Sequence, residues 1–146
     1  MNKTLAIANQ KGGVGKTTTA VNLAASLAAT GRNILLIDMD PQGNATTAAG
    51  VIKNETETLY ATYFEKKNIK EVIKESRDGY SILPGGQELI ALDVDIRDNQ
   101  RQGFLAAQLN EVENTYDYTI IDTPPTLNQL TTEALLSSVG TLIPLQ

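Results

Sequence analysis

A glycine-rich segment near the amino terminus has the residue types that bind phosphate groups. The segment is Lys11-Gly12-Gly13-Val14-Gly15-Lys16-Thr17-Thr18, between an apolar run and an alanine-rich stretch. Glycines let successive backbone N–H groups curl around an anion, and the start of a following helix adds a favourable partial charge. In such a loop Lys16 would reach the β- and γ-phosphates of a nucleotide, Thr17 would ligate Mg²⁺, and Thr18 would contact the α-phosphate.

Two other segments place aspartates directly after apolar runs. Asp38 and Asp40 follow the run 34–37, and Asp122 follows the run 118–121. An aspartate after a strand is a common turn residue, so neither segment is strong evidence alone. Open α/β sheets, however, bind ligands at the carboxyl ends of their parallel strands, where all three loops would meet. We therefore expect Asp122 to hold Mg²⁺, through water, beside the phosphate loop.

The alternatives to a nucleoside triphosphate site explain the sequence less well. A glycine turn that only joins a strand to a helix needs no Lys-Thr-Thr after it, and a dinucleotide-binding fingerprint has no obligatory lysine and threonine there. The chain has no histidine and no cysteine, which excludes a Ser/His/Asp triad, thiolate catalysis and cysteine-ligated metals. With a net charge of −5, the composition by itself gives no reason to expect nucleic-acid binding.

Hydrophobic patterns predict the elements that position these loops. The predicted strands cover residues 5–8, 34–37, 80–83, 118–121 and 141–145, and the predicted helices cover residues 17–29, 59–64, 69–74, 87–96, 99–112 and 128–138. The segment 45–78 has the least clear pattern. A strand, loop, helix and strand in succession imply a right-handed parallel crossover. The prediction is an α/β, three-layer P-loop NTPase fold with a mostly parallel sheet.

The three motifs together resemble those of the ParA/Soj partition ATPases, in the ParA/MinD superfamily. Gln10 stands where the general P-loop has glycine, and Lys11 follows it, as in the deviant Walker A motif of that superfamily. Asp38-Met39-Asp40-Pro41-Gln42-Gly43-Asn44 resembles the family's switch I, and Asp122-Thr123-Pro124-Pro125 resembles its switch II. MinD-like relatives lack the Pro-Gln-Gly-Asn run, and nitrogenase iron proteins need cysteines that this chain does not have.

The resemblance implies which residues act in catalysis. Lys11 would reach across a nucleotide-sandwich dimer to the partner's ATP, and Lys16 would bind the phosphates. Asp40 would position or activate the hydrolytic water, while Asp38 would support the metal and the loop. The implied function is slow, Mg²⁺-dependent ATP hydrolysis with ATP-dependent homodimerisation, in plasmid or chromosome partitioning.

The resemblance also implies partners and a location. A ParB-type partner would stimulate hydrolysis, and the ATP-bound dimer would bind DNA nonspecifically through residues not visible in this chain. The expected location is the cytoplasm, on the nucleoid when ATP is bound. No membrane partner is expected, because no apolar run approaches the ~20 residues of a membrane span.

Residues 1–146 are expected to be the N-terminal part of one P-loop ATPase domain. The chain starts at the first strand, which favours the short ParA/Soj type without an N-terminal DNA-binding domain. The last predicted strand has no helix after it, so the domain is expected to be C-terminally truncated. The alternative function is a nucleotide-dependent interaction module, or a MinD-like positioning protein, that binds ATP without productive turnover.

Overall fold

The computed structural model describes residues 3–8, 14–52 and 56–144, and these residues form a six-stranded sheet. The strands are β1 (Lys3–Ile7), β2 (Ile34–Asp38), β3 (Lys74–Glu75), β4 (Ser81–Leu83), β5 (Tyr118–Asp122) and β6 (Gly140–Leu142). Their order across the sheet is β3-β4-β2-β5-β1-β6, and every neighbouring pair is parallel except β3 and β4. The mostly parallel sheet predicted from the sequence is confirmed.

Helices cover both faces of this sheet. They are α1 (Val14–Ala28), α2 (Asn44–Ala48), α3 (Leu59–Phe64), α4 (Ile69–Val72), α5 (Leu89–Asn99), α6 (Phe104–Asn110) and α7 (Gln129–Ser137). Successive strand residues point to opposite faces, so Ile34 and Leu36 pack with α1 and α2, while Leu35 and Ile37 pack with the later helices. Because both faces are buried, β2 and β5 are nearly continuous apolar runs. The result is the predicted three-layer α/β architecture.

A short antiparallel edge strand was not among the predicted elements. Strand β3 has two residues, and it reaches β4 through a turn in which Gly79 has a φ of +88°. The predicted helix over 69–74 is therefore too long, because α4 ends at Val72 and Lys74 already pairs with β4. The five-residue helix α2 was not predicted either. Within the described ranges, no helix is long and apolar enough to cross a membrane.

The predicted helix over 99–112 is wrong at its start. Gln100 and Gly103 have left-handed backbone conformations, with φ of +52° and +95°, so α6 begins only at Phe104. The buried carboxylate of Glu133, on α7, accepts hydrogen bonds from the backbone N–H groups of Gly103 at 2.8 Å and Leu105 at 3.0 Å. A negative charge at the start of a helix is favourable. Glu133 therefore both caps α6 and joins it to α7.

Replacement of Glu133 should destabilise the fold. We expect Glu133→Ala to lower the free energy of unfolding by about 2–3 kcal/mol, because two N–H groups lose a charged acceptor. Glu133→Gln is the matched control, since its amide retains one acceptor oxygen, and its loss should be clearly smaller. Urea unfolding followed by circular dichroism measures both changes. An alanine variant as stable as the parent protein would contradict the capping role.

Candidate functional site

The carboxyl ends of β1, β2 and β5 lie at one level. Asp122 of β5 pairs in register with Ile7 of β1 on one side and with Asp38 of β2 on the other. Hydrogen bonds continue beyond the strands: the Met39 N–H donates to the Asp122 carbonyl at 2.9 Å, and the Thr123 hydroxyl donates to the Ile7 carbonyl at 2.8 Å. The structure thus brings the two acidic segments together at one edge of the sheet.

Helix α1 brings two residues of the phosphate-binding motif to Asp122. Lys16 is buried, and its ammonium group forms an ion pair with Asp122 Oδ1. The Thr17 hydroxyl donates to Asp122 Oδ2 at 3.0 Å. Each carboxylate oxygen of Asp122 therefore has a donor from the first turns of α1, which begins at Val14. Thr18 follows on the same helix and is exposed.

Gly15 lies in the first turn of α1, and the other predicted residues of the phosphate loop fall wholly or partly outside the described residues. Lys11, Gly12 and Gly13 lie outside the described residues, and only the backbone of Val14 is described. Their assigned contacts with a nucleotide remain predictions.

Asp38 is enclosed at the end of β2. Its Oδ1 accepts the backbone N–H of Asp40 at 3.0 Å, and its Oδ2 accepts the N–H of Thr46 at 2.9 Å and the hydroxyl of Thr46 at 2.8 Å. Burial raises the pKa of Asp38 to about 7, and the charge of Asp122 adds to the rise, while the three hydrogen bonds oppose it. The Asp38 carboxylate is thus held by the protein on both oxygens.

Asp40 lies in the turn that follows. It is 5% exposed, and its Oδ1 accepts the backbone N–H of Gln42 at 2.9 Å, while the Gly43 N–H donates to its carbonyl at 2.9 Å. These bonds fold the backbone around the Asp40 side chain and hold its carboxylate in one orientation. The carboxylate that was predicted to act on water therefore belongs to an ordered turn.

The pKa of Asp122 depends on its burial and on the charged groups around it. Burial raises the pKa of Asp122, the Lys16 ammonium and the Thr17 hydroxyl lower it, and the charge of Asp40 raises it further. Within the described ranges, no three acidic side chains form a complete metal cage. Mg²⁺ needs only one or two carboxylates when phosphate oxygens and waters complete its shell. The pairing of Thr17 with Asp122 fits such an ion.

Two residues of this site were not found from the sequence. Thr46 of α2 contacts Asp38, as described above, and the backbone N–H of Gly85 donates to the Thr46 hydroxyl at 2.8 Å. The segment Pro84-Gly85-Gly86 was interpreted only as a turn after a strand. A Cβ atom at Gly85 would lie 2.7 Å from Asp38 Cγ, which no side chain could occupy without a shift. The absence of a side chain at Gly85 is thus a requirement of the site.

Comparison with known sequences identifies related proteins. A protein-family model described as an AAA domain matches residues 2–146. The sporulation initiation inhibitor protein Soj of Bacillus subtilis is 41% identical over 149 aligned positions, which cover 100% of this chain and 59% of Soj. The chromosome partitioning protein ParA of Myxococcus xanthus is 43% identical over 145 positions, covering 97% and 51%. The chain therefore spans a little over half the length of these relatives.

Comparison with solved structures also identifies related proteins, in agreement with the sequence comparison. Cobyrinic acid a,c-diamide synthase from Mycobacterium smegmatis, solved with ADP and magnesium, superposes with a TM-score of 0.95 at 32% identity, covering 100% of this chain and 60% of that one. A plasmid partition protein from Borrelia burgdorferi gives a TM-score of 0.85 at 30% identity, covering 99% and 65%. The overall fold is thus shared with a protein solved with ADP and magnesium and with a plasmid partition protein.

Proposed function

The chain belongs to the AAA domain family and, within it, to the ParA/Soj branch of nucleotide-hydrolysing P-loop proteins, and we propose that it binds MgATP and hydrolyses it slowly. One observation carries the proposal. Lys16 and Thr17, at the start of α1, both contact the carboxylate of Asp122 at the end of β5. A P-loop lysine, a hydroxyl and an acidic residue in that arrangement form a site for a metal-bound triphosphate.

Each residue of the site has a proposed role toward the nucleotide. Lys16 binds the β- and γ-phosphates, and backbone N–H groups of residues 12–18 surround them. Thr17 and Asp122 hold the metal, and Asp38 supports it through the hydrogen bonds it makes within the loop. Bound Mg²⁺ would neutralise charge on the phosphate oxygens. Thr18 contacts the α-phosphate.

Asp40 is the residue proposed to act on the attacking water. Its Oδ1 accepts the Gln42 N–H, which orients the carboxylate so that Oδ2 can accept a proton from a water beside the γ-phosphate. Such a water must lie in line with the bond to the γ-phosphate that breaks. The contribution of Asp40 to the rate of hydrolysis therefore depends on its position as much as on its basicity.

The family relationship supports a role in partitioning. We propose that residues 1–146 belong to one ATPase domain that dimerises with ATP, Lys11 contacting the nucleotide of the partner subunit. The ATP-bound dimer would associate with nucleoid DNA in the cytoplasm, and a ParB-type protein would accelerate hydrolysis. Relatives described as chromosome partitioning proteins and a plasmid partition protein are the support for this role.

Phosphate release from ATP tests the proposed reaction. We expect slow release that requires Mg²⁺ and that falls at least about tenfold in Asp122→Asn, because the variant loses a negative oxygen that holds the metal. Binding of a fluorescent ATP analogue is measured in parallel. Tight nucleotide binding without any Mg²⁺-dependent phosphate release by the unmodified protein would instead favour an interaction module that does not turn ATP over.

A further inference from the structure

The Asp38 carboxylate joins two separate parts of the structure. Its Oδ1 accepts the backbone N–H of Asp40, and its Oδ2 accepts both the N–H and the hydroxyl of Thr46, at distances of 2.8–3.0 Å. Asp38 is 1% exposed, so water does not compete for these bonds. The position of the Asp40 backbone is therefore tied to helix α2 through a buried side chain.

The segment between Asp40 and Thr46 folds back, so that Thr46 reaches Asp38. The Gly43 N–H donates to the Asp40 carbonyl at 2.9 Å, which closes a tight turn. Gly43 itself has a φ of +68°, a left-handed conformation that glycine adopts without strain, and the chain enters α2 at the next residue. Thr46, the third residue of that helix, is fully buried and lies back over Asp38.

The loop after β4 completes the arrangement. The Gly85 N–H donates to the Thr46 hydroxyl oxygen at 2.8 Å, while the same hydroxyl donates to Asp38. A hydroxyl that donates to one group and accepts from another has a fixed orientation, and among apolar replacements of similar shape none can do both. Gly85 also lies against Asp38, since a Cβ atom there would be 2.8 Å from the Asp38 carbonyl oxygen.

We propose that Thr46 is a positioning residue for ATP hydrolysis, holding Asp38 and, through it, the turn that carries Asp40, with Gly85 supplying the backbone donor that orients it. Thr46 and Gly85 act through Asp38 and make no contact with the nucleotide. The inference rests on the proposed function, because it assigns Asp40 to the hydrolytic water. It adds to that function two residues, Thr46 and Gly85, which lie outside the nucleotide-binding motifs and hold the turn that carries Asp40.

Thr46→Val is the variant that removes the hydroxyl and keeps the shape. We expect its kcat for MgATP to fall about tenfold, the loss typical of outer-shell partners, while KM and nucleotide affinity stay within about twofold. Thr46→Ser, which retains the hydroxyl, should restore most of kcat. Thr47→Val is the matched control, because the Thr47 hydroxyl donates to the Gly43 carbonyl at 3.2 Å and does not reach Asp38.

Gly85→Ala tests the same arrangement from the other side. Its methyl group would lie 2.7 Å from Asp38 Cγ, so Asp38 and Gly85 must move apart, and kcat should fall although the Thr46 hydroxyl is still present. Gly86→Ala is its matched control, since a Cβ atom there would make only an ordinary contact, 3.5 Å from the methyl group of Thr58. Having two variants on different elements keeps the test valid if one of them folds poorly.

Amide hydrogen exchange without nucleotide provides a readout that does not need turnover. We expect faster exchange over residues 38–46 in Thr46→Val and Gly85→Ala than in the parent and the two controls. Unchanged kcat and unchanged exchange in both variants, with an active parent protein, would overturn the inference and leave the proposed function standing. Equal losses of kcat and nucleotide affinity, with a matching loss of stability, would also overturn it. A parent protein without hydrolysis would overturn the proposed function, and the inference with it.

Discussion

Asp40→Ala should reduce the rate of ATP hydrolysis at least about 100-fold, which is the lower part of the range for general-base catalysis. The dissociation constant for ATP should change little, because Asp40 acts on the water and Lys16 binds the phosphates. Nucleotide affinity and single-turnover hydrolysis, measured on the same preparation, separate these effects. Hydrolysis by the variant at the parental rate would remove Asp40 from the mechanism.

The same variant should also accumulate in an ATP-bound dimeric state. If hydrolysis is what ends the dimer, a variant that binds ATP without cleaving it remains associated, and light scattering should show a stable dimer with ATP and a monomer with ADP. Lys11→Ala, proposed to lose the contact with the partner's nucleotide, should stay monomeric with both. Asp98→Ala is the matched acidic control, because Asp98 is exposed and pairs only with Arg97 in the described part of the chain.

Lys16→Met should weaken nucleotide binding strongly and also destabilise the nucleotide-free protein. Methionine retains the length of the side chain but removes the charge, so the fully buried carboxylate of Asp122 loses its partner beside Asp38. Breaking a buried ion pair on one side costs about 3 kcal/mol or more. Affinity for ATP should fall by roughly 30-fold or more, the equivalent of about 2 kcal/mol for a lost charged contact.

The double variant Lys16→Met/Asp122→Asn separates the two effects. Removing the unpaired charge should recover most of the lost stability, whereas ATP binding should stay weak. Urea unfolding without nucleotide gives the stability, and titration with a fluorescent ATP analogue gives the affinity. If Lys16→Met alone unfolds at the same urea concentration as the parent protein, the ion pair does not stabilise the nucleotide-free state.

The strands that carry the site were predictable from the sequence. The runs 34–37 and 118–121 are nearly continuously apolar and rich in β-branched residues, which indicates strands buried on both faces. Each strand was found one residue longer than predicted. The added residues are Asp38 and Asp122, which pair with each other across the sheet. The convergence of the acidic segments follows from parallel topology alone.

The support for Asp38 could not be predicted in the same way. Helix α2 has five residues and no apolar periodicity, so nothing in its pattern indicated a helix or a buried face. The Thr46 hydroxyl bonds to Asp38, eight positions earlier in the chain, and to Gly85, 39 positions later. Only the folded structure determines such contacts. Similarly, the break before α6 depends on Glu133, which is 28–30 positions further along.

Strands β1, β2 and β5 end at one level, and this restricts where the gene can gain or lose codons. Inserting or deleting one codon within β5 would move Asp122 by about 3.3 Å and exchange the faces of the residues around it. Asp122 would then no longer meet Lys16, whatever residues the new sequence contained. We therefore expect related genes to differ in length in the connections, such as residues 111–117 before β5, and to preserve the spacing inside these three strands.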